Sequence, residues 1–130
     1  MQHLGARAGG ELDVLALSAD KNPPVLQPRT RRGENLQSIA KHPDYVTLER
    51  VAFAELGLAA MSHQPGGPPP LIKYALTYLF VQAEFGLCCP VSMTDSLTRT
   101  LCKFGTPELV ARYLPCLLYT SPSPRDRQKS

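Results

Sequence analysis

Proline and glycine cut the apolar and polar positions of this chain into short segments. The longest apolar segment runs from Leu71 to Leu87. At roughly 100° per residue, Lys73, Thr77 and Glu84 fall within one narrow sector. Apart from Gln82, the remaining surface is apolar. A helix that is apolar on nearly every side is normally buried within a larger body. The pattern therefore predicts a central core helix against which other helices lie. A membrane span would need about 20 predominantly apolar residues. Lys73, Gln82 and Glu84 interrupt the run, so no membrane association is expected.

The other elements follow from periodicity and punctuation. Residues 10–19 carry Leu12, Leu15 and Ala16 on one face, and Asn22-Pro23-Pro24 stops that helix. Val25–Thr30 and Asn35–Ile39 flank Arg31-Arg32-Gly33-Glu34, which suggests an irregular hairpin. Gly33 would take a positive φ, and Pro28 would keep the first strand at an edge. Pro43 suits the first position of a helix and Asp44 its positive end. Tyr45, Leu48, Ala52 and Leu56 would face inward, with an end near Gly57 or one turn later. After a Gly/Pro-rich loop and the apolar helix, Pro90 opens another helix. Its inward face is expected to be Val91, Thr94, Leu97, Leu101 and Phe104, and Gly105 its stop. Thr106-Pro107-Glu108 caps a last helix that Pro115 is expected to end. The fold class is all-α with one small β-hairpin.

At 130 residues, 43% of them apolar, the chain has the size of one domain. No continuous apolar stretch near the N-terminus marks a secretory leader, so a cytoplasmic location is expected. Cys116–Asp126 looks foreign to the rest. One back-translation of it resembles the transposase adapter used in preparing DNA sequencing libraries. Residues 1–115 are therefore expected to be the domain and 116–130 a non-native, disordered tail. That division changes the charge argument. The chain has a net charge of +3, of which Arg125, Arg127 and Lys129 against Asp126 supply +2, leaving +1. Overall basicity then gives no footprint for nucleic acid. The local cluster Arg29, Arg31 and Arg32 reads as a solvated turn, with a phosphate or nucleic-acid contact as the sharper alternative.

Little in the chain promises chemistry by itself. There is no dinucleotide fingerprint, phosphate loop, nucleophile elbow, zinc-protease motif or calcium loop. Cys88, Cys89, Cys102 and Cys116 lack metal-ligand spacing and read as buried thiols. His3, His42 and His63 fall in loops without evident partners, and His42 suits a helix start. Ser92, Met93 and Thr94 follow a helix break, where polar groups at a new helix start can donate to an electron-rich ligand. Ordinary capping and packing is the plainer reading of the same three residues.

Three collinear segments carry a resemblance. Phe104-Gly105-Thr106-Pro107-Glu108 through Tyr113-Leu114-Pro115 resembles the end of the N-terminal helical-bundle domain of acyl-CoA dehydrogenases. Gln82-Ala83-Glu84-Phe85-Gly86, leading to Cys89-Pro90-Val91-Ser92-Met93-Thr94, is similar to a segment of the AidB-like, isovaleryl-CoA-dehydrogenase-like subgroup. Asn22-Pro23-Pro24, Arg32-Gly33 and His42-Pro43-Asp44-Tyr45 resemble the start of that subgroup. The resemblance implies a larger FAD flavoprotein, a homotetramer, that α,β-dehydrogenates an acyl-CoA thioester and passes electrons to an electron-transfer acceptor. In that family a carboxylate removes the α-proton and flavin takes the β-hydride. The matching base and flavin-binding segment would lie beyond Pro115, so the resemblance places no catalytic residue and no metal here. It implies packing, subunit contacts and a pocket wall, with Ser92, Met93 and Thr94 as wall candidates. It also implies a rival role, an alkylation-response protein binding double-stranded DNA through a further C-terminal domain.

Overall fold

The computed structural model describes residues 2–119. Two helices, α1 (Gln2–Ala8) and α2 (Glu11–Lys21), precede strands β1 (Val25–Arg29) and β2 (Asn35–Ala40). Then come α3 (Pro43–Arg50), α4 (Pro70–Ala83), α5 (Cys88–Phe104) and α6 (Pro107–Tyr119). The helix α1 lacks any sequence signal for its ends and was not expected; it takes up His3, expected in a loop. It is held by burial of Leu4 and Ala8 and by Arg7, which pairs with Glu11 at 3.1 Å and Glu55 at 3.3 Å.

The chain stops and starts where its punctuation says. Asn22 caps the end of α2, and the Asn22 side-chain amide donates to the Ser18 carbonyl at 2.8 Å. His42 caps α3, its Nδ1 accepting the Asp44 N–H at 3.3 Å. Past Arg50 the helix widens into a π-turn, Val51–Glu55, in which the Leu56 N–H reaches the Val51 carbonyl. Gly57 then turns the chain at φ +58°, a region that costs a side-chain-bearing residue free energy. The hairpin is antiparallel, pairs Leu26 with Ile39, and slips register between Gln27 and Arg29.

One core joins α1, α2, α3, the π-turn and the near sides of α4 and α5. Leu12, Leu48, Val51, Leu58, Phe80 and Leu87 are its largest fully buried apolar members. Here α4 departs from its expected role. It is not wrapped on all sides. Lys73 and Phe80 are its buried residues, while Leu71, Tyr74 and Tyr78 are exposed. Lys73 lies on the inward face beside Phe80, with Leu76 and Leu79 packed against the core, while part of the apolar surface faces out. On α5 the expected inward face holds only in part. Val91, Thr94, Asp95 and Thr98 are buried, whereas Leu97 and Phe104, expected inside, are exposed. Tyr74, Tyr78 and Phe85, with Met93, Leu97 and Phe104, leave broad uncovered apolar surface.

Two further expectations change. α6 does not end at Pro115 but continues to Tyr119 with the proline inside the helix, where it leaves one helical carbonyl without its N–H donor. Cys116–Tyr119 therefore belong to α6, and the rest of the expected disordered tail, 120–130, lies outside the described residues. Cys89 and Cys102 are exposed rather than buried. Among the described residues no helix is long and apolar enough to cross a membrane.

Candidate functional site: a buried lysine, aspartate and histidine

The reason α4 turns Lys73 inward lies across from it on α5. Lys73 sits in the first turn of α4 and is 3% exposed. Its Nζ donates to Asp95 Oδ2 at 2.6 Å. His63, from the loop before α4, places Nε2 at 2.7 Å from the other oxygen, Oδ1. A carboxylate only accepts, so His63 Nε2 carries the proton. Arg99, one turn along α5, stands 3.6 Å from Oδ2. Three segments thus converge on one aspartate. The surrounding backbone is braced by hydroxyls: Thr77 donates to the Lys73 carbonyl at 2.9 Å and Thr98 to the Thr94 carbonyl at 2.8 Å.

The electrostatics suit a tie rather than a catalyst. Burial raises the Asp95 pKa, but the hydrogen bonds and charges of Lys73 and His63 outweigh it and hold the carboxyl below its ordinary value. A depressed carboxylate is a weak general base. Ser62, next to His63, has a buried Oγ without a hydrogen-bond partner among the described residues. A serine–histidine relay needs a hydroxyl bonded to the imidazole, and that bond is missing. No group of three or more potential metal ligands assembles among the described residues.

The residues singled out from sequence fare unevenly. Ser92 and Met93 are exposed on α5 while Thr94 is buried, so the three do not share one face. Arg29, Arg31 and Arg32 lie together around the exposed hairpin tip. His42 is a helix cap, and an open cleft of about 430 Å³ beside it is lined by Lys21, Asn22, Val25, Ala40 and Lys41 among others. Lys41 is engaged by buried Glu49 at 2.8 Å. The His63–Lys73–Asp95 cluster escaped sequence reading. The one available signal was a lysine interrupting an otherwise apolar helix.

A flavin does not fit these residues on their own. Lys73, Asp95 and His63 already satisfy one another, and the exposed Ser92 and Met93 form no enclosed slot. A cofactor slot would need surfaces beyond this chain.

Comparison with known proteins gives a consistent picture. The family model described as the adaptive response protein AidB N-terminal domain matches residues 1–121. A solved structure titled "Bd2924 apo-form" is 32% identical with a TM-score of 0.81, over 92% of this chain and 24% of that one. The crystal structure of Caenorhabditis elegans ACDH-11 in complex with C11-CoA is 20% identical with a TM-score of 0.76, over 90% of this chain and 21% of that one. No curated protein matches significantly. The chain spans about a quarter of the length of these solved structures. It belongs to the AidB N-terminal domain family, with the fold of the helical N-terminal domain of acyl-CoA dehydrogenases.

Proposed function

We propose that this chain is the N-terminal helical part of a larger FAD-dependent oxidoreductase that α,β-dehydrogenates an acyl-CoA thioester of the short branched, isovaleryl-like kind. It supplies no catalytic group. Its contribution is to pack against the domains that hold the flavin, to line one wall of the acyl pocket and to contact neighbouring subunits. The observation that carries the reading is the family match over residues 1–121. The outward apolar surface of α4 and α5 agrees with it, because isolated soluble domains rarely expose contiguous apolar patches of this kind. The C11-CoA bound by the C. elegans protein suggests acyl-CoA thioesters as the class to test. Within this reading Ser92 and Met93, exposed on α5, remain the candidates for a pocket wall, with Thr94 packing behind them. Residues 116–130 remain a proposed non-native addition.

The test is to express the protein encoded by the uninterrupted locus and record its visible spectrum before and after anaerobic addition of isovaleryl-CoA. The reading expects flavin absorbance that bleaches on addition. A colourless protein would overturn it. Flavin that stays oxidised, together with duplex binding that weakens steeply with salt, would instead favour a DNA-binding role.

A further inference from the structure

The β-hairpin stands apart from the core. Every residue of β1 is exposed, and in β2 Ser38 alone is half-buried. Leu26 and Ile39, opposite one another and on one face, are 64% and 57% exposed. A lone two-stranded hairpin is marginal in water, so an arm with this composition calls for a cover. Its tip is nevertheless well ordered. The Thr30 hydroxyl accepts the Arg32 and Glu34 N–H groups, each at 3.2 Å, and Gly33 takes φ +85° in the turn. Arg29, Arg31 and Arg32 are thereby carried on an ordered turn backbone, and none makes an ion pair among the described residues. Addition of a further strand along β1 is obstructed by Pro28 and by the register slip beside it. What remains is docking through the face.

A complementary surface exists on α2. Val14 and Leu17 are exposed on its outer side, and Asp13 and Asp20 flank them without ion pairs among the described residues. The arm is about 17–20 Å long at about 3.4 Å per residue, and α2 is about 16 Å long at about 1.5 Å per residue. The chain's own hairpin leaves this side of α2 uncovered. We propose that the hairpin of one copy lies across the outer face of α2 in a second copy, and reciprocally. Leu26 and Ile39 meet Val14 and Leu17, and the tip arginines meet Asp13 and Asp20. A reciprocal pairing of one surface with itself about a twofold axis is the common way that identical chains associate. The apolar pair, and Glu34 within the tip, fit a protein partner better than a phosphate backbone. This inference names a subunit contact and does not depend on the flavin chemistry.

The test uses the intact protein from the uninterrupted locus, with assembly followed by sedimentation velocity. R31E/R32E weakens self-association roughly tenfold or more, as does D13R/D20R. The four changes combined restore it. L26S/I39S also dissociates the assembly, without altering charge. All these positions are exposed, and circular dichroism verifies the fold of each variant. The proposal is overturned by an intact protein that is monomeric, by an assembly indifferent to R31E/R32E, or by a fourfold variant that does not reassociate. Loss of duplex DNA binding in R31E/R32E with assembly intact would likewise overturn it.

Discussion

Asp95→Asn is the sharpest probe of how α4 and α5 are held together. The substitution keeps size and shape but removes the charge. The oxygen of the new carboxamide could accept from Lys73 or from His63, and its nitrogen would then face the other donor. Lys73, 3% exposed, would keep its ammonium without a counter-ion. Removing one partner of a buried ion pair costs about 3–5 kcal/mol, well above the cost of losing an exposed pair. We take about 3 kcal/mol, because Asp95 keeps slight solvent access. Hydrogen exchange in the intact protein reads this locally. Amides of α4 and α5 should exchange about a hundredfold faster, since about 1.4 kcal/mol is a factor of ten. Two companions separate charge from packing. His63→Ala should cost less, about 1.5–3 kcal/mol for one hydrogen bond to a charged group. The double variant K73M/D95L should recover part of the loss, because the unpaired ammonium is gone while His63 still lacks its acceptor. Less than tenfold faster exchange in Asp95→Asn, or no recovery in the double variant, would refute the argument.

Three further outcomes are expected. The Asp95 carboxyl is held below its ordinary value near 3.8, so its contribution is complete above that pH and lost as pH falls toward the depressed native value; the stability gap between wild type and Asp95→Asn, measured by urea melts, should shrink below about pH 4. Residues 1–130 expressed alone should bind a hydrophobic dye and melt without a sharp transition, owing to the uncovered Tyr78, Phe85 and Phe104; a sharp two-state melt from a monomer would contradict this. Gly57→Ala should cost about 1–2 kcal/mol through its positive φ alone, since a Cβ there meets nothing within 4 Å. Gly57→Asn should cost less, and a thermal melt of the intact protein compares the two.

Local signals in the sequence were sufficient for local structure. Asn22-Pro23-Pro24, His42-Pro43 and Gly33 act over a few residues, and each sits at the boundary or turn its chemistry requires, while Gly105 ends α5 in extended backbone rather than in a left-handed cap. Family resemblance in three collinear segments was legible too, and the family match agrees with it. The facing of α4 and α5 was not legible. A periodicity argument assumes that a chain covers its own apolar residues. This chain spans about a quarter of the solved structures it matches, and on α4 and α5 the assumption holds for Phe80 and Val91 but fails for Tyr74, Tyr78, Leu97 and Phe104. The His63–Lys73–Asp95 cluster could not be found by spacing, because its members are joined only by the packing of a loop and two helices. A lysine inside an apolar helix was the visible trace, and a buried partner for it is the physical consequence.

The account rests on the outward apolar face of α4 and its neighbours being covered by further polypeptide. Hydroxyl-radical footprinting of the intact protein tests this directly at Tyr78 and Phe85, which are 65% and 77% exposed in this chain. The account predicts that both are protected in the intact protein and readily oxidised in residues 1–130 alone. Equal oxidation of both residues in the two samples would contradict it.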